Sequence, residues 1–139
     1  MFVQPSVEEI RAIAQRFSLA LVVQFGSSLD PQRIDHPESD IDLAFLSHPK
    51  TLSLEQEIDL QYQFAKLFGV FEDKIDLVNL AKVSSLLLYQ VATKGVSLYD
   101  RDDHQFNEFY ITANKRYIDE QNLRDLQKDL LTQKVASYA

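Results

Sequence analysis

FGSSLDPQRIDHPESDIDLAFL, residues 25–46, is the stretch that decides how this chain folds. A Gly-Ser pair closes one apolar run, a polar segment follows, and Asp40 and Asp42 then sit two apart inside a second apolar run. Strand side chains alternate, so Asp40, Asp42 and Ala44 share one face and Ile41, Leu43 and Phe45 the other. Unpaired carboxylates are costly on a strand facing a core, so these two need a compensating partner. At a spacing of about 7 Å between their Cα atoms they can converge on one hard cation.

The run KIDLVNL, residues 74–80, isolates Asp76 between Ile75 and Leu77 in the same way. If the two strands are neighbours in register, Asp76 joins the face of Asp40 and Asp42. Three carboxylates could then hold two Mg²⁺ ions about 3.5–4 Å apart, the arrangement used for in-line phosphoryl or nucleotidyl transfer. Without cations the cluster would repel itself and raise its own pKa values. A plainer alternative stays open, with Asp40 solvated at the strand's start and Asp42 on an open sheet face. Gly26 and Ser27 suit a phosphate: glycine lets the backbone approach closely, and Ser27 offers a hydroxyl and an amide.

Working outward, Ser6 and Glu9 form a capping-box pattern, and the apolar spacing predicts a helix over 7–17. Residues 19–25, LALVVQF, read as a buried central strand. Residues 28–39 read as a loop, and 41–46 as the second strand. Ser53 and Gln56 open a helix over 54–68, with Leu54, Ile58, Leu60, Phe64, Leu67 and Phe68 as its expected core face and Gly69 as a left-handed cap. Residues 74–80 form a third strand, 84–94 a helix stopped by Gly95, and 96–99 a short fourth strand at an edge. From Asp103 to about Leu131 the chain is charged and lacks Gly and Pro, which predicts one long helix. The expected class is α/β (α+β), a small mixed sheet flanked by helices with a long C-terminal helix, in one domain over 1–139 (core about 7–100, last helix about 103–131).

Composition narrows the function. The 139 residues suit one domain, and 14 Lys plus Arg against 21 Asp plus Glu give a net charge of −7. That charge disfavours direct nucleic-acid binding and suits a basic protein partner or a site that recruits divalent cations. With no cysteine, disulfides, thiolate zinc sites and cysteine nucleophiles are excluded. No signal peptide or membrane span is expected, and the chain reads as cytoplasmic.

Gly26, Ser27, Asp40, Asp42 and Asp76 together resemble the signature of the nucleotidyltransferase superfamily related to DNA polymerase β: strand, Gly-Ser, loop, D-x-D on the next strand, and a further Asp on a later one. More narrowly, SDIDLAFL, KIDLVNL and KGVSLYD are similar to segments of the minimal nucleotidyltransferase antitoxins of the MntA type, partners of HEPN-domain (HepT-type) ribonuclease toxins. The resemblance spans about residues 7–104. The twelve residues between Ser27 and Asp40 make a longer loop than is usual there, and SLDPQRIDHPES departs from the loop of many relatives.

The resemblance implies a polymerase β-like nucleotidyltransferase fold and transfer of AMP from ATP to a tyrosine hydroxyl of the toxin. It implies two Mg²⁺ ions on Asp40, Asp42 and Asp76, with Asp76 also drawing the proton from the attacking hydroxyl, and Gly26 and Ser27 on the β- and γ-phosphates. Two alternatives are a non-catalytic antitoxin that occludes the toxin, and a small-molecule adenylyltransferase of the aminoglycoside type. His36, His48 and His104 read as solvated loop residues rather than metal ligands. Tyr110 and Tyr117 read as helix packing or as partner or modification sites. Lys74 faces either solvent or the acids.

Overall fold

The computed structural model describes residues 3–29 and 40–138. Its elements follow the order α1 (Val7–Arg16), β1 (Leu19–Phe25), β2 (Ile41–Ser47), α2 (Leu54–Phe68), β3 (Ile75–Asn79), α3 (Ser85–Lys94), β4 (Val96–Asp100) and α4 (Gln105–Ser137). The helix starts are set locally. Ser6 and Glu9 close a reciprocal capping box on α1, and Ser53 and Gln56 close another on α2. Gly69 ends α2 at φ 71°, the left-handed conformation expected of it.

The four strands form one sheet in the order β3-β2-β1-β4. β1 pairs antiparallel with β2 and with β4, and β2 pairs parallel with β3. The sheet is therefore mixed, with the two most apolar strands central. One face packs against α1 and α2 through Phe17, Phe45, Leu60, Phe64 and Phe68. The other packs against α3 and α4 through Leu21, Val23, Ala44, Val91 and Phe109. Alternation puts Asp42 and Ala44 on this second face of β2, and Asp76, Val78 and Leu80 on the same side at β3.

Two expectations change. Leu54 and Ile58 do not belong to the core face of α2; they are 73% and 54% exposed. The helix carries two apolar rows four residues apart, 54/58/62 and 60/64/68, and only the second meets the sheet. The last helix also runs six residues beyond Leu131, to Ser137. Asp100 starts it, accepting hydrogen bonds from the backbone N–H groups of Gln105 and Phe106. Side chains then clamp it to α3: Tyr117 stacks on Tyr89 at 4.0 Å, and the buried Ser85 hydroxyl donates to Glu120 and accepts from Arg116. Tyr117 is thus a packing residue, whereas Tyr110 is exposed. Past residue 121 every described residue of α4 is exposed. Among the described residues, no helix is long and apolar enough to cross a membrane.

The two rows of α2 provide a test by truncation. Phe64→Ala should cost about 3–5 kcal/mol in denaturant unfolding, while Leu54→Ala should stay within about 0.5 kcal/mol of the parent.

Candidate active site

The site is built where β1 ends and β2 begins. β1 and β2 run antiparallel with Phe25 opposite Asp42, so the residue after Phe25 lands beside the Asp42 side chain. That residue is Gly26, at φ 80°, and a Cβ there would run into the Asp42 carboxylate. Glycine meets both demands, a left-handed backbone and no side chain. Gly26 opens a 3-10 turn, Gly26–Leu29, so the expected loop begins as a helical turn. Ser27 is the second residue of that turn; its side chain, like the remainder of the 28–39 loop with His36, lies outside the described residues.

On the other side, Asp42 is paired in register with Asp76 of the parallel strand β3. The condition on which the three-acid reading depended, neighbouring strands in register, is met for these two. Their carboxyl groups are hydrogen-bonded to each other, and Asp42 is half-buried while Asp76 is exposed. The Asp42 carboxyl is pushed from 3.8 up to about 6 by burial first, then by the negative charge of Asp76, the hydrogen bond with Asp76, and the charge of Asp40. Asp40 itself is exposed just ahead of β2. It acts on Asp42 through charge rather than contact, and among the described residues no three acid or histidine side chains converge closely enough to hold a metal ion. The expected three-fold convergence is thus a close pair with a third acid nearby.

Chemically, this pair fits a hard cation. All its donors are carboxylate oxygens, the class that Mg²⁺ prefers. Burial and the neighbouring acids raise the Asp42 carboxyl to about 6, a crowding of negative charge that a bound cation would relieve. The adjoining turn is entered through a glycine whose missing side chain leaves room for the Asp42 carboxylate.

The other candidates lie elsewhere. His48 is exposed in the loop after β2, and His104 is exposed ahead of α4. Lys74 closes a 3-10 turn, Glu72–Lys74, immediately before β3. Asp100, within KGVSLYD, ends β4 opposite Leu21 at the far end of β1 and accepts from the first two backbone N–H groups of α4. It lies five residues ahead of Gln105, outside the capping position held by His104, so no capping spacing in the sequence signals that role.

A family model described as "Polymerase beta, Nucleotidyltransferase" matches residues 8–104. Among solved structures, a crystal structure of a toxin-antitoxin with AMP-PNP is 26% identical, with 91% of this chain and 98% of that chain covered and a TM-score of 0.69. A tri-AMPylated Shewanella oneidensis HEPN toxin in complex with MNT antitoxin gives 25% identity, 91% and 95% coverage, and a TM-score of 0.64. The toxin-antitoxin MntA-HepT, at 24% identity, 91% and 96% coverage and a TM-score of 0.65, shares the fold. No curated protein matches the chain.

The raised carboxyl has a consequence for stability. Well below pH 3.8, Asp42 is protonated in the folded and unfolded chains alike, so Asp42→Asn should not change stability there. Between about pH 4 and 6 the unfolded chain ionises while the folded one resists, and above about pH 6 the full repulsion is present. Thermal melts at pH 7.5 without divalent metal should therefore show Asp42→Asn more stable by about 1–2 kcal/mol, less than the ~3 kcal/mol of the full shift because the side chain is half-exposed. The gain should fade as pH falls through this window and vanish by about pH 3.

Proposed function

The chain belongs to the polymerase β nucleotidyltransferase family, and on that premise we propose that it is a protein adenylyltransferase, the antitoxin of a HEPN ribonuclease toxin. It would transfer AMP from ATP to a tyrosine hydroxyl of that toxin. The observation that carries the reading is the in-register pair of Asp42 and Asp76 beside Gly26. Its support from outside the chain is the likeness to a toxin-antitoxin with AMP-PNP and to a complex containing a tri-AMPylated HEPN toxin.

In this reading, the tyrosine oxygen attacks the α-phosphorus, the bond to the β-phosphate oxygen breaks, and pyrophosphate leaves. Bound Mg²⁺, two ions in the full arrangement, would neutralise the developing charge on the phosphate oxygens. Asp42 and Asp76 would hold the metal, with Asp40 contributing from the edge of β2. Asp76, the more exposed of the pair, would draw the proton from the incoming hydroxyl. Gly26 and Ser27 would hold the β- and γ-phosphates through the turn that follows β1. Such a site works by positioning and charge neutralisation rather than by covalent chemistry. The added nucleotide would bring negative charge and bulk to the toxin's RNA-binding surface.

A second reading, inhibition by occlusion, draws on α4. Leu123, Leu126, Leu130, Leu131 and Val135 are each more than half exposed on its far half, spread over about half of the helix circumference, apolar surface that a partner could cover.

Incubation with the cognate toxin, ATP and Mg²⁺ should raise the toxin's mass by one or more AMP units, and Asp42→Ala should slow this by about 10²–10³-fold or more. An unchanged toxin mass would remove the transferase reading. Protection of cells by a folded double variant, Asp40→Ala with Asp42→Ala, would favour occlusion, whereas loss of protection with toxin binding retained would favour transfer.

A further inference from the structure

β3 carries Asp76 at the edge of the sheet. It is five residues long and, among the described strands, pairs with β2 alone. A short edge strand is the part of a sheet most prone to local opening, yet this one must keep Asp76 opposite Asp42. The backbone bonds to β2 are supplemented from α2. The Gln61 side chain uses both of its Nε2 hydrogens, donating to the Glu72 carbonyl at 3.0 Å and to the Ile75 carbonyl at 2.9 Å. One turn earlier on the same helix face, Glu57 accepts from Asn79 Nδ2 at 3.1 Å and lies 3.8 Å from the Lys82 ammonium. Glu57 and Gln61 thus clasp the two ends of β3, Asn79 and Ile75.

The Ile75 contact matters most. Its carbonyl belongs to the planar peptide that joins Ile75 to Asp76, so a donor fixed on that oxygen sets the plane from which the Asp76 side chain departs. The second bond, to Glu72, fixes the 3-10 turn from which the strand starts. Gln63, two residues on, offers a contrast: among the described residues its amide reaches only the exposed Asp59 carboxylate of its own helix, at 3.4 Å.

We infer that Gln61 is a positioning residue for Asp76, holding the edge strand so that this carboxylate stays in register with Asp42. The inference rests on the nucleotidyltransferase reading for its effect on rate, but its effect on the strand can be measured without any reaction. Gln61→Met keeps the length and removes both donors; Gln61→Glu keeps the shape and turns an acceptor toward two carbonyls. In either variant the backbone amides of residues 75–79 should exchange with deuterium about tenfold or more faster, with those of β1 unchanged. The kcat for AMP transfer should fall about ten- to a hundredfold at an unaltered KM for ATP, as expected when a catalytic group is misplaced rather than lost. Gln63→Met should change neither quantity. Parental β3 exchange and parental kcat in both Gln61 variants, alongside an inactive Asp76→Ala, would overturn the inference and leave the transferase reading standing. Full transfer by Asp76→Ala would instead remove Asp76 from the reaction and overturn its positioning role, and faster β3 exchange in that case would show Gln61 as a strand clasp only.

Discussion

Asp42 and Asp76 stand side by side on parallel neighbouring strands, and their mutual repulsion is what the surrounding structure has to contain. The register of β2 and β3 puts them together, and partial burial of Asp42 strengthens the repulsion by removing water that would screen it. Containment comes from three sides. The apolar partners of β2, with Phe45 against α2 and Ala44 against α3 and α4, hold the strand in the middle of a two-faced core. Gly26 makes room for the carboxylate that a larger residue would displace. Gln61 and Glu57 tie down the outer strand. A bound cation would relieve the repulsion that these contacts contain.

Much of this was legible in the chain because the determinants are local. Both capping boxes involve residues three apart, and the strands announce themselves through alternation or continuous apolar runs. The pairing of Asp42 with Asp76 was legible only conditionally. Parallel strands have no hairpin turn to fix their register, so the sequence could state what would follow from pairing but could not establish it. Asp40 shows the limit of counting residues: alternation put it on the Asp42 face, yet its position ahead of β2 leaves it exposed and acting through charge alone.

Other features were hidden because they depend on which surfaces meet. The two apolar rows of α2 have the same helical period, and the choice between Leu54/Ile58 and Phe64/Phe68 is made by the sheet. Gln61 joins partners 11 and 14 residues away through backbone carbonyls, which carry no side-chain signature. Tyr89 and Tyr117 stack across two helices on a similar footing. The end of α4 could not be placed because no Gly, Pro or cap residue interrupts it, and its projecting half is sustained by backbone hydrogen bonds rather than by packing.

The ionisation of Asp42 tests the central claim most directly. Its carboxyl carbon, followed by NMR as pH is varied, should titrate at about pH 6 in the metal-free chain and move well below that value when Mg²⁺ and a non-hydrolysable ATP analogue are added, since cation and proton compete for the same oxygens. A metal-free midpoint near 3.8, or one near 6 that Mg²⁺ and the analogue leave unchanged, would contradict the reading of this acid pair as a cation and nucleotide site.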